Sequence, residues 1–268
     1  MIDPLIVKLK QMSVDVSVFA DDVSIIISRN SWFGVNTVAN KVLQVIENWA
    51  DNNFLKFNPD KSNYIQYSRQ RKVEDIKLIM NKVKLKRVNQ VKLLGVIFTE
   101  KLTWQSHITY VVNKAIKNIF FLGAIVNRKW GLEGKYLKIL YLGAIEPIIL
   151  YSCAVWAAEI TKKKVQNQLN RVQRIAGQLI TRCNSKTHSL DIFTLAGIMP
   201  LHIRVKELSL RWWAAASVDI DNPSKRAFDQ LKEHKVTASH FSNIEQLDTW
   251  FSQIGINKDN LEPGYSSF

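Results

Sequence analysis

The spacing of apolar residues changes near residue 104. Before it the dominant period is two. Val14, Val16 and Val18 alternate with Asp15 and Ser17, and Val23, Ile25 and Ile27 alternate with Ser24. That is the pattern of two strands, each buried on one face. The break between them falls at Ala20-Asp21-Asp22 and predicts a β-hairpin with carboxylates at its tip. A helix is expected over roughly 36–51, where Val38, Val42, Val45, Ile46 and Trp49 share one face and Asn36 or Thr37 stands as the N-cap. Asn58-Pro59-Asp60 marks a turn, Tyr64, Gln66 and Ser68 alternate as in a strand, and 82–98 reads as short strands around Asn89.

After residue 104 the period is that of a helix. Ile108, Val111, Val112, Ala115, Ile116, Ile119, Phe120 and Gly123 form one stripe. Others run through 165, 169, 172, 176 and 179 and through 201, 205, 208, 212 and 215. These predict a bundle of amphipathic helices. Beyond residue 218, "DIDNPSKRAF" reads as a linker and "NIEQLDTWFSQIG" as one more short helix.

Composition narrows what such a chain does. With 268 residues, 47% of them hydrophobic, and only ten Gly and six Pro, it is globular. The net charge of +14 favours polyanions, nucleic acid first and anionic membrane second. Residues 61–92 hold ten Lys/Arg against Glu74 and Asp75, and 161–188 hold seven with no acid, whereas the stretch after 218 is acidic. Two cysteines without a CxxC spacing and five scattered histidines exclude a disulfide scaffold, a zinc ribbon and an HExxH site. There is no signal-peptide pattern at the N-terminus, and the longest uncharged stretch, 147–158, is short for a bilayer. An intracellular protein, nuclear or cytoplasmic and not secreted, with no membrane partner, is expected.

Asp21 and Asp22 admit two readings. Asp is common in hairpin turns, where it caps the local backbone. Yet two adjacent acids with no basic neighbour from 11 to 28 repel one another, which a divalent cation would relieve. A phosphoryl-transfer site of that kind needs a further acidic ligand, and no spacing in the chain marks one.

"FADD" at 19–22 resembles the Y/F-x-D-D core of reverse transcriptases. Further stretches resemble, in order, segments of the non-LTR (LINE-like, jockey-type) retrotransposon branch. "WADNNFLKFNPDKSNYIQYS" is similar to its W-x5-L-x-x-N-x-x-K segment, and "VKLLGVIFTEKLTWQSHI" to its L-G-V-x-x-D-x-x-L-x-W-x-x-H-I segment. "AIEPIILYSCAVW" and "LNRVQRIAGQLITRCNSKTHSLDIFTLAGIMPLHIR" resemble two later ones. Thr99-Glu100 departs from the usual Asp.

The resemblance implies an RNA-directed DNA polymerase of α+β fold: part of a palm over 1–103, a helical thumb over 104–217, and a tail or linker over 218–268. It makes Asp21 and Asp22 the catalytic and metal-binding pair for Mg²⁺ or Mn²⁺, with Phe19 and Ala20 beside the primer end. It puts Lys61, or secondarily Lys56, near the nucleotide phosphates, and Leu94-Gly95 in a primer-grip hairpin. The implied partners are an RNA template, a DNA primer or target duplex, and a preceding portion of the same polyprotein. That portion is expected because the family's palm carries another metal-binding Asp and a Gly-containing loop upstream, whereas "MIDPLIVKL" resembles the helix after that loop. The expectation is a truncated chain, inert alone. The rival reading is a non-catalytic nucleic-acid-binding module or a decayed element fragment, with Lys162, Lys163, Lys164, Arg171, Arg174 and Arg182 as its backbone-binding patch. Cys153 and Cys183 read as small hydrophobes, His107 as a packing or capping residue, and Trp212-Trp213 as core.

Overall fold

The period-two stretches at 14–27 and 82–98 form strands, whereas of Tyr64, Gln66 and Ser68 only Tyr64 lies in one. In the computed structural model, which describes residues 2–68, 73–125, 131–219, 221–233 and 242–254, β1 (Asp15–Phe19) and β2 (Asp22–Ile26) pair antiparallel, with Phe19 opposite Asp22. The chain divides into two compact units, Met1–Leu102 and Thr103–Phe268.

In the first unit α1 (Asp3–Gln11) precedes the hairpin and α2 (Trp32–Asn52) follows it. Then come β3 (Asn63–Tyr64), β4 (Ile79–Met80), β5 (Val83–Lys84), β6 (Lys86–Arg87), β7 (Gln90–Leu93) and β8 (Val96–Thr99). Each sheet is two-stranded; β3 and β6 are parallel, and the other pairs antiparallel. The helix α2 serves two cores. Val42, Ile46 and Trp49 pack with Leu5 and Leu9 of α1, while Ala39 and Leu43 pack with Ile76, Leu78, Met80 and Leu85.

The start of α2 lies earlier than the apolar spacing suggests, because extended Ser31 caps it by accepting the Gly34 N–H. Asn36 and Asn40, one turn apart, act as an artificial strand edge for 77–79. Asn36 Oδ1 accepts the Lys77 N–H, Asn40 Oδ1 accepts the Ile79 N–H, and Asn40 Nδ2 donates to the Lys77 carbonyl. At its other end α2 closes in a Schellman motif: Leu55 N–H bonds to Ala50 O and Phe54 N–H to Asp51 O. The left-handed position is held by Phe54, at φ 56° and 98% exposed. Such a φ costs an L-residue about 1 kcal/mol that glycine avoids, and the ring packs on almost nothing. Phe54→Gly is therefore expected to raise stability by about 0.5–1 kcal/mol in thermal unfolding; a loss would show that Phe54 makes contacts that stabilise the fold.

The second unit is helical: α3 (Gln105–Ile125), α4 (Gly134–Leu140), a π turn (Tyr141–Ile145), α5 (Glu146–Leu150), 3₁₀ turns at Cys153–Val155 and Ala157–Thr161, α6 (Lys163–Thr181), α7 (Ser189–Ala196), α8 (Leu201–Val218), α9 (Pro223–Glu233) and α10 (Ser242–Gln253). At the centre α6 buries Val165, Leu169, Val172 and Ala176, close to the predicted stripe. It crosses α7 at Gly177, where a Cβ would stand 2.5 Å from Ile192 Cγ2. Gly177→Ala gains about 1 kcal/mol of helix propensity but forces two helices apart against a stiff β-branched side chain. A net loss of about 1–2 kcal/mol is expected. In an Ile192→Ala background the same substitution is expected to stabilise, a reversal that a double-mutant cycle by thermal unfolding reads directly.

Three expectations shift. On α3 the buried apolar residues are Ile108, Val111, Val112, Ala115 and Ile119, while Phe120 points out. On α8 the buried face is Leu201, Val205, Ser209, Trp213 and Ala216, as predicted at 201 and 205 and one position later from 209 on, so Trp213 is core and Trp212 is 41% exposed. The segment read as a tail contributes to the core: α10 buries Leu247 and Trp250, Trp213 Nε1 donates to Asp248, and Lys206 Nζ lies over the Trp250 ring. Residues 220, 234–241 and 255–268 of that segment lie outside the described residues. The run Gly134–Val155 is long and apolar enough, by length and composition, to cross a membrane; its Leu137, Tyr141, Ile145 and Ile149 belong to the core of the unit.

Candidate functional site

Only Ala20 and Asp21 connect β1 to β2. Ala20 takes φ 52°, the positive value that tight hairpins need at the first loop position to match strand twist. Asp21 thus sits at the apex, Asp22 opens β2, and both are exposed, as is Phe19 at 64%. The second hairpin is built alike: Leu94 at φ 46° and Gly95 at φ 85° form the loop of β7–β8, both positions positive as a type I′ turn requires.

Within the first unit a cleft of about 1880 Å³ brings Ala20, Asp21 and Asp22 together with Lys56, Lys61 and Lys92 on its lining. Phe19, Leu94 and Gly95 are not part of that lining, although Leu93, the last residue of β7, is. Lys61 is exposed in a turn organised by Asn58, whose Oδ1 accepts the Asp60 N–H and whose carbonyl accepts the Ser62 hydroxyl. The carboxylates on this lining offer oxygen ligands to a hard cation, and the lysines offer positive charge to phosphates. As a complete metal site they fall short. Among the described residues no group of three or more His, Cys, Asp or Glu side chains could hold a metal ion, so Asp21 and Asp22 fit part of a divalent-cation site and do not fill it.

In the second unit the basic patch divides. Lys162 Nζ pairs with Glu159 at 2.7 Å. Arg174 donates to the Ser189 hydroxyl and the Ser185 carbonyl, pinning the connection into α7, and Arg182, the left-handed C-cap of α6, lies 3.5 Å from the Leu132 carbonyl. Lys163, Lys164 and Arg171 are exposed and make no ion pair among the described residues. Half of the patch thus serves the fold, because a guanidinium reaches back to carbonyls as readily as out to phosphate.

The later motif stretches meet in a polar network that spacing did not reveal. Fully buried Gln173 of α6 donates through Nε2 to Met199 O and accepts Leu201 N–H through Oε1, both at 2.7 Å. Arg204 lies 3.5 Å from the buried Glu146 carboxylate and 2.6 Å from Glu207. Burial raises the Glu146 pKa, and Arg204 opposes that more weakly. The Tyr141 phenol is raised by burial and by the same carboxylate. One clue was available: Gln173 stands four residues after Leu169, in the core register of α6. His107 is fully buried, which lowers its pKa, and Cys153 is a buried thiol whose pKa burial raises.

No protein-family model matches the chain, and no solved structure does. Curated proteins do. It is 25% identical over 158 residues to a Retrovirus-related Pol polyprotein from type-1 retrotransposable element R1 of Bradysia coprophila, covering 59% of this chain and 16% of that protein. It is 24% identical over 252 residues to the Retrovirus-related Pol polyprotein from type-1 retrotransposable element R1 2 of Nasonia vitripennis, covering 91% and 59%. It is 24% identical over 166 residues to the Probable RNA-directed DNA polymerase from transposon BS of Drosophila melanogaster, covering 62% and 18%. Over much of its length the chain is similar to R1- and jockey-type non-LTR retrotransposon Pol polyproteins, as its motifs imply. It spans less than two thirds of the length of each of these relatives.

Proposed function

We propose that the chain is the palm-and-thumb portion of a non-LTR retrotransposon reverse transcriptase. The first unit carries part of the polymerase centre and the second grips nucleic acid. The observation that carries this reading is that Asp21 and Asp22, at the tip of a hairpin whose sequence resembles the reverse-transcriptase core, line the same cleft as Lys61. The two aspartates would hold Mg²⁺, which when bound polarises phosphoryl oxygens and stabilises their charge. Lys61 would hold the phosphates of the incoming nucleotide. In the second unit Lys163, Lys164 and Arg171 are the members of the basic patch left to meet a nucleic-acid backbone.

The ligand set also bears on activity. With no third metal-ligating group beside Asp21 and Asp22 among the described residues, the chain by itself is expected not to polymerise. A carboxylate from another part of the polyprotein would complete the site. Primer extension on an RNA template with Mg²⁺ tests this. Purified chain should incorporate nothing, and incorporation should appear when the chain is produced as part of a full-length polyprotein. Incorporation by the isolated chain, sensitive to Asp21→Asn, would refute the incomplete-site reading. A full-length polyprotein whose activity ignored that substitution would refute the polymerase assignment of the hairpin.

A further inference from the structure

On α3 one face is left uncovered. Opposite the buried Ile108, Val111, Val112, Ala115 and Ile119, the residues Lys114, Lys117, Phe120 and Phe121 are all exposed, at helical spacings that place them along one stripe. Phe120 and Phe121 are 63% and 66% exposed. Single exposed apolar side chains are ordinary on a protein surface, but two neighbouring phenylalanines beside two lysines form a patch with a chemistry of its own. The helix contains no acidic residue, and neither lysine makes an ion pair among the described residues.

We propose that this face of α3 binds single-stranded nucleic acid, with Phe120 and Phe121 stacking on unpaired bases and Lys114 and Lys117 holding the adjoining phosphates. The inference rests on the nucleic-acid reading of the second unit and adds the strand type and the surface. The charge, positive with no acid on the helix, selects a polyanion over a typical apolar protein partner. The rings select single strands over duplex: a paired duplex shows phosphates and groove edges outward and keeps its base faces stacked, leaving phenylalanine nothing to cover. Every base has a face to stack on, so this surface would grip a strand without reading its sequence. It is also separate from Lys163, Lys164 and Arg171, which lie on α6.

The test is fluorescence anisotropy of the full chain with a labelled thymidine oligonucleotide, an abasic strand of the same length and a duplex. The wild-type chain should hold the thymidine strand tighter than the abasic one. Phe120→Ala/Phe121→Ala should weaken the thymidine strand at least about fivefold and leave the abasic strand and the duplex unchanged. Phe120→Leu/Phe121→Leu, which keeps apolar bulk, should do the same and covers the case in which the alanine variant unfolds. Lys114→Gln/Lys117→Gln should weaken both single strands and flatten their salt dependence. Unchanged thymidine binding by both phenylalanine variants would overturn the proposal, as would self-association that those variants abolish, since the face would then be a protein contact. If wild-type chain bound neither strand nor duplex, the nucleic-acid reading of the unit would fall with it. If it bound but ignored the phenylalanines, only the α3 surface would fall.

Discussion

Asp21→Asn in a full-length polyprotein containing this chain is expected to lower primer extension by about a thousandfold or more, several kcal/mol of lost metal-assisted charge stabilisation. The substitution keeps the shape of the side chain and removes its charge. A hard cation held by few protein ligands depends on that charge more than on the oxygen count. The same change should leave the melting temperature of the isolated chain where it was. Asp21 is exposed at the apex of a loop whose conformation is set by Ala20 and by the β1–β2 ladder. Asparagine is as acceptable in such a turn as aspartate. Activity lost without stability lost separates a ligand from a turn residue. Equal activity in variant and wild type would return Asp21 to the turn reading.

Gln173→Leu is expected to be costly for a different reason. The substitution is nearly isosteric and puts an apolar side chain in the core register of α6, so packing alone would favour it. Two backbone groups decide otherwise. Leu201 is fully buried, and its N–H has Gln173 Oε1 as acceptor at 2.7 Å; the Met199 carbonyl accepts from Gln173 Nε2 at the same distance. Removing both partners leaves an orphaned donor at the start of α8 and an orphaned acceptor before it, at about 1–3 kcal/mol each. A loss of about 2–4 kcal/mol is expected in chemical or thermal unfolding. Gln173→Glu offers a finer check. It retains the acceptor for Leu201 but turns an ionised oxygen toward a carbonyl. Its deficit should therefore shrink as pH falls and the carboxyl takes up a proton that Met199 O can accept. A Leu variant as stable as wild type would show that water reaches both groups.

Gln173, Glu146 and Arg204 also change what the motif resemblance means in the second unit. The stretches around them read as marks of a polymerase thumb, and Arg174 and Arg182 read as phosphate contacts. In the fold these stretches hold α5, α6 and α8 to one another through buried polar groups, and the arginines reach back to Ser185, Ser189 and Leu132. Residues that recur in a motif because they hold helices together look the same in sequence as residues that touch nucleic acid. Substitutions at Gln173 are expected to act through stability, those at Lys163, Lys164 and Arg171 through binding and its salt dependence.

What the sequence by itself determined is the local order. Alternation around Ala20-Asp21 specified a hairpin, because a two-residue loop between strands leaves the tip nowhere else to go. The 3.6 period specified the helices of the second half, because one apolar stripe has to be buried. The motif order specified the relatives. What only the tertiary structure decided is which of two neighbouring positions faces in. Phe120 fits the apolar stripe of α3 by spacing, and Trp212 fits that of α8 as well as Trp213 does. Helix rotation is settled by the partner surface, and a stripe one residue wider than its partner leaves its edge in solvent. Chain distance hid the rest. The contact of Gln173 with 199–201, the burial of α10 against α8, and the cleft that Asp21 and Lys61 both line all depend on segments that no local period connects. Long-range packing makes those contacts, and a pattern of near neighbours carries no record of it.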